Sequence, residues 1–141
     1  MTIIEKIFAL KKLNPFNLLK DSELSIIAEV AEERRYVPGE IVISEGKILQ
    51  KLYIVIDGQI LKESEPKSIP AVFGIESLLF DIPISDILRA SSSKGAVCLN
   101  IAKRHFFTTI YECPELLLSF LETDKYSVKD FYQSIEQGYS A

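Results

Sequence analysis

Hydrophobic positions along the chain change period twice. Near the start, Ile3, Ile4, Ile7, Phe8 and Leu10 recur at the three- and four-residue steps of an α-helix. After a break at Asn14-Pro15 comes a second helical stretch, in which Leu24, Ile27, Val30 and Ala31 form the stripe to be buried. Asp21 is placed to cap it, and Glu23 favours its positive end. From Arg34 the period shortens. The β-branched runs RRYV, EIVISE, KLYIVI and QILKE are punctuated by Pro38-Gly39, Gly46 and Asp57-Gly58. In KLYIVIDGQILKE the Asp-Gly pair predicts a two-residue hairpin, because both central positions of a type I′ turn require positive φ.

A polar segment, SEPKSIP, leads into FGIESLLFDIPISD, where a glycine opens a short helix-like run that ends before a proline. ISDILRAS and AVCLNIAK then read as two strands joined by the SSSKG turn. The last third returns to helical spacing in RHFFTTIYE, PELLLSFLE and SVKDFYQSIEQ. The expected organisation is one α+β domain over residues 1–141. It has helices over 2–33, a β-roll over 34–102 with a short helix at 75–80, and helices over 103–138.

Length and charge narrow the function classes. A chain of 141 residues, 48% apolar, has room for one real hydrophobic core. No apolar run approaches the roughly 18 residues of a membrane span, and the lysine-interrupted N-terminus does not read as a secretory signal. The expected location is cytoplasmic. A net charge of −4 argues against a nucleic-acid surface, and Lys11-Lys12 and Arg34-Arg35 are only short pairs. Cys98 and Cys113 stand in unlike contexts and form no C-x-x-C motif. With His105 the single histidine, neither a metal site nor a nucleophile–base pair can be assembled, so no metal, no catalytic residue and no enzyme is expected.

Two segments resemble the cyclic-nucleotide-binding domain family, found in catabolite-activator regulators, protein kinase A regulatory subunits and gated cation channels. PGEIVISEGKILQKLYIVIDGQI, residues 38–60, follows the family's pattern without a gap, except that Leu49 stands where a turn glycine is usual. Phe73 to Pro83 matches the phosphate-binding cassette, with Phe73, Gly74, Leu78, Leu79 and Pro83 in place. The resemblance implies an antiparallel double-stranded β-helix, a jelly-roll-like β-roll flanked by N- and C-terminal helices. It also implies that the ribose-binding glutamate and phosphate-binding arginine positions are Ile75 and Ile84. The candidate ligand-binding residues are therefore Phe73, Gly74, Ile75, Glu76, Ser77, Ile84 and Ser85.

Neighbouring residues do not obviously substitute. Glu76 lies one residue, about 100° of helix rotation, beyond the ribose position. On a strand, Ser85, Ile87 and Arg89 face away from Ile84. The expectation is that Ile75 and Ile84 turn inward and leave a small apolar pocket or none. One pocket wall should also be shortened, because few residues separate Gly58 from Gly74.

The resulting expectation is a free-standing regulatory or interaction module with no cofactor, cyclic AMP and cyclic GMP being disfavoured. The alternative is a small-molecule sensor that holds a cyclic nucleotide or another ligand in an altered cassette. Val128, Phe131, Tyr132 and Ile135 form an apolar stripe on the last helix. That stripe is a candidate surface for a protein partner or a second copy.

Overall fold

The computed structural model describes residues 1–116 and 118. Helix α1 (Ile3–Lys11) is closed by a reciprocal cap, with Thr2 Oγ1 accepting from Glu5 N at 3.1 Å and the Glu5 carboxylate accepting from Thr2 N at 3.3 Å. After a short 3₁₀ turn (Phe16–Leu18), α2 spans Asp21–Val30. Its cap sits one residue before the expected Asp21. Lys20 N donates to the Glu23 carboxylate at 3.0 Å, while Asp21 is already helical and pairs with Lys11 at 2.7 Å. Lys6 Nζ donates to Ala31 O at 2.6 Å, which ties α1 to the end of α2.

The strands are β1 (Glu32–Tyr36), β2 (Ile41–Ile43), β3 (Lys51–Gly58), β4 (Ile60–Lys62), β5 (Val72–Phe73), β6 (Leu88–Ala90) and β7 (Ala96–Ala102). The first begins two residues earlier than the sequence pattern indicates. Short helix α3 (Ile75–Phe80) lies between β5 and β6, and α4 (Lys103–Glu112) follows β7. Two antiparallel sheets result, one ordered β1-β7-β3-β5 and the other β2-β6-β4. Together they make the expected α+β architecture, a β-roll with flanking helices. The stripe Val128, Phe131, Tyr132 and Ile135 lies outside the described residues.

Alternation along the central strands gives the four-stranded sheet two apolar faces. Leu52, Ile54, Leu99 and Ile101 pack against Leu10, Phe16, Leu24, Ile27, Ala31 and Phe106 of the helices. Val55, Ala96 and Cys98 point the other way, into the roll, where Tyr36, Ile43, Leu49, Ile60 and Leu88 meet them. Cys98 belongs to this roll-side core and Cys113 to the helix-side core. Burial pushes the Cys98 thiol up to about 12, and burial, helped by Glu23 and Glu115, pushes Cys113 up to about 11. Ile3, Ile4 and Phe8 join neither core; Ile4 is 66% and Phe8 62% exposed.

The expected Asp57-Gly58 hairpin does not form. Among the described residues Asp81 alone takes positive φ without being glycine, so Asp57 cannot supply the first position of a type I′ turn. The chain instead crosses from one sheet to the other: β3 pairs with β7 and β5, and β4 pairs with β6. Gly58, at φ +71°, is needed at this corner because a Cβ there would lie 2.2 Å from Gly95 O. The Asp-Gly signal is local, whereas this approach of two corners is tertiary. Gly58→Ala is therefore expected to cost about 3 kcal/mol or more in urea unfolding. Gly39→Ala, at φ +80° with open space around it, should cost only about 1–2 kcal/mol.

Candidate functional site

Helix α3 is held at three points. At its start Gly74 takes φ +101°, where a Cβ would meet Leu49 Cδ1 at 3.0 Å, and Leu78 N donates to Gly74 O at 2.9 Å. In its middle Ser77, 1% exposed, accepts from Leu49 N at 2.7 Å. At its end Asp81 turns left-handed, and its carboxylate receives Lys103 Nζ at 3.3 Å. Phe73, just before the helix, stacks on Tyr53 with centroids 5.0 Å apart. The Leu49–Ser77 bond explains how a turn that lacks its usual glycine still fixes α3: the Leu49 amide anchors the helix and its side chain fills the roll.

Beneath α3 lies a cleft of about 310 Å³, small and largely apolar, with Ile75 and Ile84 both in its lining. Ile75, 2% exposed, packs into the helix-side core while also lining the cleft. Ile84 packs on the roll-side core, and its backbone is fixed by two 2.8 Å bonds, from Gly46 N to Ile84 O and from Ile84 N to Lys47 O. This part of the chain is irregular, since β6 starts only at Leu88. Strand alternation therefore does not govern Ile84 and Ser85. Ser85 and Glu76 line the cleft from exposed positions. The wall expected to be short is a tight turn closed by the Leu61–Ser68 bridge and a 3.3 Å bond from Lys62 N to Lys67 O.

The structure thus gathers Phe73, Gly74, Ile75, Glu76, Ser77, Ile84 and Ser85 around one opening and adds Lys62, Ile69 and Asp86. Lys62 and Ile69 come from distant segments, so no local motif marked them, whereas Asp86 closes the FGIESLLFDIPISD stretch itself. Lys62 is the one cation among the described lining residues. Arg89 stays outside, donating to Glu63 at 3.0 Å and to Gly39 O at 3.1 Å. Asp86 accepts from Ile87 N at 2.8 Å, and from the Ser64 amide and hydroxyl. The Ser64 hydroxyl bond, more than the backbone bonds or Lys62, holds its carboxyl below the usual range. Among the described residues no group of His, Cys, Asp and Glu could hold a metal ion.

Removing the Ser77 hydroxyl leaves the Leu49 amide buried without its acceptor. Ser77→Ala is accordingly expected to lower stability by about 1–3 kcal/mol, read from the urea midpoint at unchanged slope.

No protein-family model and no curated protein matches the sequence. In structure the chain is similar to the regulatory domain of Toxoplasma gondii PKA with cAMP, at TM-score 0.66 and 18% identity, over 86% of this chain and 49% of that one. It is also similar to cAMP-bound PfPKA-R, at TM-score 0.69 and 19% identity, over 96% of this chain and 48% of that one. The chain spans about half the length of either. Likeness at this level concerns the backbone, and it agrees with the cassette and the roll described above: the chain has the fold of a cyclic-nucleotide-binding domain.

Proposed function

We propose that this chain is a regulatory or interaction module that uses the cyclic-nucleotide-binding fold without holding cyclic AMP or cyclic GMP in the usual pose. What supports this reading is the make-up of the cleft: Ile75 and Ile84, where the resemblance puts the ribose and phosphate contacts, and a lining of one lysine, Lys62, against two carboxylates, Glu76 and Asp86. A phosphate leaving water needs charge-assisted hydrogen bonds. Leaving a buried charge without its partner costs about 3–5 kcal/mol, or roughly two to four powers of ten in affinity. Glu76 and Asp86 would add repulsion. In this reading the chain performs no catalysis, and the stripe Val128, Phe131, Tyr132 and Ile135 is the surface offered to a protein partner or a second copy.

A second reading, a small-molecule sensor with an altered cassette, is favoured by one observation: the cleft is open, and its volume is at the lower end of those that hold small ligands. Calorimetric titration with cyclic AMP and cyclic GMP up to millimolar concentration tests both readings against ordinary nucleotide reception. The expected outcome is no saturable heat and no rise in melting temperature with either nucleotide. Micromolar binding of either would overturn the proposal and turn attention to Glu76 and Lys62 as recruited contacts.

A further inference from the structure

We infer that the cleft beneath α3 accepts a small molecule with an apolar body and a single positive charge, the opposite preference to that of a phosphate receptor. The inference rests on the sensor reading above and specifies its ligand. The body of the guest is set by Ile69, Val72, Phe73, Ile82, Ile84 and Leu88, which line the cleft with aliphatic and aromatic surface. Its charge is set by three groups: Lys62, Glu76 and Asp86.

These three are not equivalent. Asp86 is fixed by its bonds from Ser64 and the Ile87 amide. Lys62 forms no ion pair with either carboxylate among the described residues. Glu76 stands apart, on the first turn of α3, where neither an ion pair nor a side-chain hydrogen bond among the described residues involves its carboxylate. The cleft consequently presents two carboxylates against one lysine, and Glu76 is the one without a bonded partner beside an apolar wall. A protonated amine on a hydrocarbon or aromatic body satisfies both features, because its cation pairs with Glu76 while its body displaces water from the isoleucines. A monoanion of the same size would meet two carboxylates and a single lysine.

Three probes of one shape separate charge from shape: benzylamine (cationic), benzyl alcohol (neutral) and benzoate (anionic). Each is titrated at neutral pH and low salt, with amide-resolved NMR following residues 73–77 and 84–88. Benzylamine is expected to shift these amides saturably and to bind most tightly, with benzoate weakest. Glu76 is exposed, so Glu76→Gln should leave the fold intact, weaken benzylamine about three-fold and bring it level with benzyl alcohol. Added salt should act in the same direction. If benzyl alcohol or benzoate binds wild-type protein as well as benzylamine does, or if Glu76→Gln leaves the preference unchanged, the charge inference fails while the cleft survives as a ligand site. If none of the three shifts these amides at millimolar concentration, the sensor reading fails and the inference falls with it.

Discussion

The antiparallel ladder between β3 and β7 is the constraint on which everything else in this chain depends. Its register, from Lys51 opposite Ala102 to Gly58 opposite Ala96, sends Leu52, Ile54, Leu99 and Ile101 to the helices and Tyr53, Val55, Ala96 and Cys98 into the roll. A slip of one residue would exchange the two sets and leave both cores unable to form. The cassette inherits its place from this ladder. Ile75 and Leu78 pack with Leu52 and Ile54 on one face, while Phe73 stacks on Tyr53 on the other.

A consequence is that Ile75 is a structural residue before it is anything else. A carboxylate at that position would enter a core of leucines, isoleucines and phenylalanines, where a charge without a partner is costly. In this chain Ile75 belongs to the packing that seats α3, and the backbone of Ile84 is held by bonds to the Gly46-Lys47 turn. Of the charges at the rim of the cleft, Glu76 and Asp86 come from the same 73–86 stretch and Lys62 comes from β4. The fold that carries them is that of the cAMP-bound regulatory domains which the chain resembles in backbone.

Much of the frame was legible in the sequence. The helix at 75–80 was marked by Gly74 before it and by a run of apolar residues, and the structure gives it those bounds. The strand runs between glycines were legible because alternation and turn residues act locally. What escaped was decided by tertiary approach. Asp57-Gly58 carries the local signature of a hairpin, yet Gly58 serves a corner pressed against Gly95. The inward turn of Ile75 followed from its apolar character, but which of two cores would receive it did not, since a sheet with two covered faces offers both. Lys62 and Ile69 reach the cleft from β4 and from the segment before β5, at no fixed spacing from the helix they face, whereas Arg89 lies outside it as expected, bonded to Glu63 and Gly39.

The two cysteines divide themselves between the two cores, Cys98 within the roll and Cys113 on the helix side. Both are buried, and both thiols are held protonated well above neutral pH. Since the thiolate is the reacting form, Cys98, with no exposed surface, cannot be alkylated until the core around it opens, whereas Cys113 keeps 9% of its surface exposed and lines a cleft with Pro15, Leu19 and Glu23. The molecule therefore carries an internal clock in its roll. The rate of thiol capture at Cys98 measures how often the two sheets come apart, read against a second thiol that needs no such opening to meet solvent.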